Sequence, residues 1–537
     1  MTSTVPDQLI IANLIAARRA MSPHLDVLTF VDIGPTGEYV DEVRTYDDLW
    51  ANGQRVAATL DDEGMGMGEA FAIVAQNHPE FVDAMVGSSI AGTVFVPIDP
   101  RIRGKKLAYM LDFAGCRGVV IGDYAAAHLR DVLDDCPQLE WVWVIATQSK
   151  QLPARCGDLR VRSFTDVLAR SRTADLPVRV SAADTPMQML YTSGTTGDPK
   201  AILSSYARFG FVAGLGELMG LRAGDRPYTG LSLTHANAQL ITLGTTLHMG
   251  LRGVFSRRFS KSRLWDITRH YGCTMFNLLG GMTTAVYSEP MRANDGDNPV
   301  RYVLSAGMPA TIWNEFKQRF ALDIHEFYGA AEGGLTLNPP GGPVGSIGKP
   351  PASAIGRIVD ENDEAVAPGQ PGEIVFKNAD GSCPVISYFK NPEASASKTA
   401  NGWLRMGDIG YQDADGWYYF LFRKGGGIRH NGDFVNPDFV EKELAEHPQV
   451  DDVFVYGVPS ANGVAGEKDV VAAIVPLSRA SFDAADVFRW CRARLEGSFV
   501  PSYLQLVDEI PKTASEKPQE RFLLEAFKIG APNIVTE

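Results

Sequence analysis

The chain has 537 residues, of which 45% are hydrophobic and 21% charged, and its formal net charge is −14. That length exceeds one ordinary domain and that balance belongs to a folded protein with a large core, which sets aside a disordered chain. The acidic balance argues against a nucleic-acid partner, yet leaves an anionic nucleotide open, because such binding depends on the local field of a cleft. Six cysteines (Cys116, Cys136, Cys156, Cys273, Cys383, Cys491) lie scattered without a CxxC or Cys/His cluster, as free thiols in a reducing, cytoplasmic setting would, and offer no zinc site.

In chain order, the apolar stretch Leu9 to Ala17 is followed, not preceded, by the basic pair Arg18-Arg19. This is the reverse of a secretory signal, so an amphipathic first helix is expected. Tyr46 to Leu60 reads as a helix, Ala70 to Ala75 as a buried strand, and Phe81 to Ala91 as a helix broken at Gly92. Thr93 to Ile98 is a strand closed by Asp99-Pro100, and the helix Leu107 to Phe113 leads into the strand Gly118 to Ile121. Strands alternating with helices predict an α/β fold with mostly parallel sheets covered by helices. Between Lys349 and Lys377 the pattern changes to short strands and turns, with Asp360 to Asp363, Pro368-Gly369 and Pro371-Gly372 as turn signals, and a small β-barrel-like part is expected there. A glycine-rich stretch after Arg423 and a renewed αβ pattern predict a domain of residues 1–422 and a small α+β domain of residues 423–537. No run of about twenty apolar residues is present, so no membrane span is expected.

The richest stretch is Tyr191-Thr192-Ser193-Gly194-Thr195-Thr196-Gly197-Asp198-Pro199-Lys200, which follows the apolar segment Met187 to Leu190. A polyphosphate needs such a loop: glycines bring backbone N–H groups close, hydroxyls donate to phosphate oxygens, and a lysine adds mobile positive charge. Pro199 before Lys200 and Ala201 after it depart from the Walker arrangement, which puts Lys directly after Gly and Ser/Thr directly after Lys. The ten residues resemble, in order, the phosphate-binding signature of the adenylate-forming superfamily, which includes acyl-CoA synthetases, luciferases and peptide-synthetase adenylation domains. The resemblance implies that Thr192, Ser193, Gly194, Thr195, Thr196, Gly197 and Lys200 hold phosphates, with Thr196 also serving the reaction.

Further segments match that superfamily between about residue 46 and residue 525. Tyr328-Gly329-Ala330-Ala331-Glu332 resembles the motif whose tyrosine stacks on adenine and whose glutamate holds Mg²⁺, a task suited to a hard oxygen ligand. Ala331 stands where the family commonly has Thr, so one hydroxyl contact to phosphate is missing or supplied elsewhere. Asp408, in Trp403-Leu404-Arg405-Met406-Gly407-Asp408, matches the aspartate that accepts both ribose hydroxyls; an ionised carboxylate is acceptor-only and suits a vicinal diol. Arg423 is similar to the arginine that closes over ribose and phosphate, and Arg429 to a downstream basic residue that is often lysine. The family hinge falls at Gly425, where glycine absorbs large backbone changes. In Ile510 to Lys517 the resemblance makes Lys517 the catalytic lysine that offsets charge growing on the α-phosphate, with Lys512 as the competing position.

For the acid, Ser232-Leu233-Thr234-His235-Ala236-Asn237 occupies the place that holds an aromatic or histidine beside the acyl group. No aspartate stands there to pair an α-ammonium, so a carboxylic acid lacking an α-amine is expected; a satisfied core histidine is the competing reading of His235. Gly280, Gly281, Ala306, Gly307 and Ala330 complete the expected acyl and adenine surroundings, and their small side chains point to a bulky or extended apolar acid, as in fatty-acid or lipid metabolism. The resemblance therefore implies an ATP-dependent ligase that uses Mg²⁺ and coenzyme A. An adenylation enzyme that loads a separate carrier protein, and a nucleotide-binding homologue without turnover, stay open, as does a homodimer.

Overall fold

The computed structural model describes residues 7–147, 159–171, 174–191, 199–424, 428–430, 433–435, 437–461, 468–495, 497–513, 516 and 518–536. The phosphate-loop residues 192–198, Gly425 and Lys517 fall outside them, as does the side chain of Arg429. The chain divides into two units, Met1–Asn277 with Ile386–Ser395, and Leu278–Val385 with Ala396–Glu537.

In the first unit a seven-stranded sheet runs in the order Arg160–Ser163, Trp141–Ile145, Cys116–Gly122, Ala70–Val74, Val94–Ile98, Pro186–Tyr191, Ala201–Ser205. Every pair is parallel except the last, Pro186–Tyr191 with Ala201–Ser205. Ala70–Val74 and Val94–Ile98 are buried at every residue, which is why they read as unbroken apolar runs rather than alternating ones. One face gathers Ala72, Val74, Val96, Ile98, Val119 and Ile121 with Leu107, Met110 and Leu111 of the helix Gly104–Phe113. The helix Tyr46–Asp62 starts on a reciprocal cap, in which Thr45 Oγ1 accepts from Asp48 N and Asp48 Oδ2 accepts from Thr45 N. The helix Pro79–Ala91 begins on a proline and ends at Gly92, whose φ of 77° is the left-handed turn that glycine takes without penalty. The first helix is Ile11–Met21, with Arg18 and Arg19 in its last turn, where positive charge suits the helix dipole. In a second set of strands in this unit, Pro227–Thr229 pairs in parallel with Met275–Leu279 and Gly253–Ser256, and Asp26–Ile33 continues it with an antiparallel edge, Tyr39–Thr45.

Among its described residues the second unit contains four sets of paired strands, one of them the short antiparallel pair Ile428–His430 and Asp433–Val435. Tyr302–Ala306 lies parallel to Asp323–Ala330, which turns back antiparallel into Gly333–Asn338. Residues 354–423 form an antiparallel four-stranded sheet, Ala354–Val359, Gly372–Asn378, Leu404–Gln412 and Tyr418–Arg423. This is the part expected to be barrel-like, and it is an open sheet with no closing pair among the described residues. A last sheet, in the order Val450–Pro459, Lys468–Pro476, Tyr503–Leu506, Ile534–Thr536, mixes antiparallel and parallel pairs. It buries both faces. Val470, Ala472 and Ile474 meet Val440, Leu444, Val487 and Phe488 of two helices, while Val471 and Ala473 meet Tyr503 and Leu523. The expected α+β pattern near the C-terminus is therefore observed. Among the described residues no helix is long and apolar enough to cross a membrane, and five cysteines, Cys116, Cys136, Cys273, Cys383 and Cys491, are free thiols.

Candidate active site

In the second unit, the strand Asp323–Ala330 delivers Tyr328 at its end, and a register shift follows between Tyr328 and Ala330. The return is tight. A Cβ on Gly329 would come within 2.7 Å of Gly334 O, so only glycine lets the two strands meet there. The Tyr328 hydroxyl donates to Asp408 Oδ2 at 2.6 Å, and Arg423 Nε donates to Asp408 Oδ1 at 3.0 Å. Asp408 and Arg423 face each other in register on adjacent strands, and Lys424 N donates to Gly407 O at 2.9 Å to close the ladder. Asp408 is 5% exposed, so its carboxylate is held by specific donors and not by solvent. Burial and the neighbouring Asp408 both push the Tyr328 hydroxyl well above the usual phenol range, which keeps it a donor. A carboxylate offers about four lone-pair sites, of which these two bonds use two, so a diol can still be accepted.

Glu332 follows on the turn, with its side chain 11% exposed and Lys398 Nζ 4.0 Å from Oε1. Among the described residues no group of three or more His, Cys, Asp or Glu is arranged to hold a metal ion by itself. A single shielded carboxylate is nonetheless what Mg²⁺ takes when substrate phosphates fill its other positions, so Glu332 fits the ion.

Gly280 and Gly307 lie backbone to backbone: a Cβ on Gly307 would stand 3.2 Å from Gly280 Cα, and Gly307 has φ of 102°. Their smallness is accounted for by this approach, so they carry less of the argument for a roomy acyl pocket than Gly281, Ala306 and Ala330 do. A Cβ on Gly281 would lie 3.7 Å from the carbonyl oxygen of Glu516, the residue before Lys517. The structure thus brings Tyr328, Asp408 and Arg423 together, and the start of the helix Gly280–Tyr287 beside both Gly307 and Glu516.

In the first unit, the loop after Pro227–Thr229 carries His235 and Asn237 into a π-helical turn, Asn237–Leu243, a rare form often met at functional positions. His235 Nδ1 accepts from Asn237 N at 3.2 Å, which leaves the ring proton on Nε2. The Asn237 Oδ1 accepts from Asn277 at 2.8 Å, and Asn277 accepts from Thr242 at 2.9 Å. Asn77 fastens the same loop, donating to Leu231 O and Ser256 O and accepting from Leu233 N, each at 2.8 Å. Lys200 is exposed, with Nζ 5.5 Å from the centre of the Tyr388 ring. Sequence reasoning missed Asn77, Asn277, Lys398 and Glu326. The Asn-His pair at the end of an apolar strand, Asn77-His78, was the one available signal.

Comparison with known proteins agrees with this geometry. The AMP-binding enzyme family matches residues 20–382, and the AMP-binding enzyme C-terminal domain matches residues 440–517. The chain belongs to that family of adenylate-forming enzymes. Its members of this kind are AMP-forming acid–thiol ligases, the acyl-CoA synthetases, whose chemistry uses ATP, Mg²⁺ and coenzyme A. A medium/long-chain-fatty-acid–CoA ligase of Mycobacterium marinum is 29% identical over 511 residues, covering 93% of this chain and 94% of the relative. A sulfoacetate–CoA ligase of Cupriavidus necator is 28% identical over 527 residues, covering 96% and 97%. The solved anthranilate CoA ligase AuaEII in complex with anthranoyl-AMP shares the fold at a TM-score of 0.81, with 22% identity and coverage of 97% and 98%.

Proposed function

We propose that this chain activates a carboxylic acid lacking an α-amine as its acyl-adenylate and passes the acyl group to coenzyme A. The observation that carries the reading is the Tyr328–Asp408–Arg423 constellation, a buried carboxylate fixed by a phenol and a guanidinium. In the first half-reaction a carboxylate oxygen bonds to the α-phosphorus of ATP and the bond to pyrophosphate breaks. In the second, the thiol sulfur bonds to the carbonyl carbon, AMP leaves with the electron pair, and the thiol proton goes to solvent. Splitting the task replaces a poor leaving group by AMP.

Asp408 holds the ribose, Tyr328 stacks on adenine with Gly329, Ala330 and Gly307 beside it, and Arg423 and Arg429 close over the phosphates. Residues 192–197 and Lys200 hold the polyphosphate. Glu332 carries Mg²⁺, which when bound supplies charge neutralisation for the phosphates. Lys517 attends the α-phosphate during adenylation, and movement of residues 423–537 against residues 1–422 about Gly425 withdraws it before the thiol arrives. His235 and Asn237, with Gly280, Gly281 and Ala306, line the acyl group. The relatives are named for acids as unlike as fatty acids and sulfoacetate, so the acid is chosen by this chain's own residues; its small residues favour a bulky or extended apolar one. The pools of ATP and coenzyme A that the reaction draws on favour the cytoplasm.

The test is pyrophosphate release from Mg·ATP with a panel of short, long-chain, alicyclic and aromatic acids, with coenzyme A consumption followed in parallel. Pyrophosphate with an apolar acid and matching thioester formation is expected. Pyrophosphate without coenzyme A use would transfer the reading to a carrier-loading enzyme, and no pyrophosphate with any acid would leave a nucleotide-binding protein without turnover.

A further inference from the structure

The strand that delivers Tyr328 carries a second ionisable group that the reaction as described does not use. Glu326 is 2% exposed. It lies two residues before Tyr328 and so on the same face of the strand. Its carboxyl accepts from the backbone N–H of Gly307 at one oxygen, and from Met308 N at 3.2 Å to each oxygen. Ser305 on one neighbouring strand and Asn338 on the other stand in register with it, and neither is charged. On its own strand the flanking groups are His325 and Tyr328. The turn it grips contains Gly307, which packs its backbone on Gly280. One side chain thus ties the end of the Tyr302–Ala306 strand, the 307–308 turn and the Tyr328 strand together.

We propose that Glu326 is a positioning residue of the nucleotide site, holding the Ala306–Gly307–Met308 turn at the distance from Tyr328 that an adenylate requires. The inference rests on the functional reading above. Burial pushes the Glu326 carboxyl up to about 8, partly opposed by the Gly307 N–H, the Ser305 hydroxyl and the Met308 N–H. At neutral pH the brace is therefore an uncharged acid that accepts from the turn and adds no charge beside a polyanionic ligand. Above that midpoint a negative charge appears in a water-poor wall of the site, where it repels an anionic nucleotide.

The experiment measures AMP binding by calorimetry, from about pH 6.5 to about pH 9.5, for the wild type, Glu326→Gln and Glu326→Ala. Glutamine mimics the neutral acid. Glu326→Gln is expected to bind AMP near neutrality within about threefold of the wild type, and to lack the wild type's loss of affinity above about pH 8. Glu326→Ala, which frees two buried N–H groups, is expected to weaken AMP by about tenfold at all pH values. The KM for ATP should rise with it, while kcat changes less, a split that general destabilisation would not produce. An alkaline loss identical in the wild type and Glu326→Gln would overturn the proposal, as would unchanged AMP affinity in Glu326→Ala. Should Glu326→Ala fail to fold, the pH profile of Glu326→Gln decides alone. Failure of the wild type to bind AMP at any pH is a different outcome, which overturns the functional reading and this inference with it.

Discussion

Replacing Asp408 by asparagine keeps the shape of the side chain and removes its charge. The amide can still accept from Arg423 Nε through its oxygen and donate to the Tyr328 oxygen through its nitrogen, so the buried contacts at 3.0 and 2.6 Å need not be broken. What is lost is the charged acceptor for the ribose. A hydrogen bond to a charged group contributes about 1.5–3 kcal/mol and a neutral one about 0.5–1.5, so two ribose bonds lose together about 2–4 kcal/mol. That corresponds to a fall of about 30- to 1,000-fold in kcat/KM for ATP. The assay is pyrophosphate release at saturating acid, run with ATP, 2′-deoxy-ATP and 3′-deoxy-ATP. The wild type should discriminate against both deoxy nucleotides, and Asp408→Asn should discriminate much less, because the lost bonds are the same ones. Equal discrimination by the two proteins would refute the assignment of Asp408 to the ribose, whatever the loss in rate.

Other consequences follow from the proposed function and its site. Tyr328→Phe keeps the ring and removes one hydrogen bond to Asp408, so the KM for ATP should rise about threefold to tenfold with kcat nearly kept, as steady-state kinetics would show. Gly307→Ala forces a Cβ onto a residue at φ of 102° and 3.2 Å from Gly280 Cα, so thermal unfolding should shift by the equivalent of about 1–3 kcal/mol. Burial raises the Glu326 carboxyl from its ordinary value of 4.5 to about 8 in the folded protein. Its contribution to stability is thus complete below about pH 4.5 and is lost as pH rises through 8, by at most about 5 kcal/mol. Glu326→Gln should flatten that limb of the melting temperature against pH. Lys517→Ala should impair acyl-adenylate formation severely while thioester formation from supplied acyl-adenylate survives, and equal slowing of both steps would remove the separate role given to Lys517.

Much of the fold was legible because its signals are local. The apolar spacing from Tyr46 to Leu60 marks the helix Tyr46–Asp62, and Gly92 marks the end of the next. The helix Pro79–Ala91 starts two residues before the expected Phe81, because the fixed φ of Pro79 suits the first helical position. The π-helical turn Asn237–Leu243 had no local signature: its side-chain anchor is Asn277, distant in sequence, which bonds to Asn237 and Thr242 of the turn. Motif order led to Tyr328, Asp408 and Arg423, and the structure adds that the phenol and the guanidinium share one carboxylate. Glu326 was invisible in the sequence for a physical reason. A glutamate in a strand ordinarily faces water, and its burial is made tolerable by two backbone N–H groups of a turn nearly twenty residues away in sequence, together with the Ser305 hydroxyl on the neighbouring strand.

The central claim is that a carboxylate oxygen bonds to the α-phosphorus of ATP. The direct measurement uses an accepted acid labelled with ¹⁸O in both carboxylate oxygens, with AMP and inorganic phosphate analysed by mass spectrometry after one round of coenzyme A thioester formation. The account predicts one ¹⁸O in AMP for each thioester made, because the attacking oxygen stays with the departing phosphate group. Label in inorganic phosphate, with ADP as the nucleotide product, would place the attack at the γ-phosphate and contradict it.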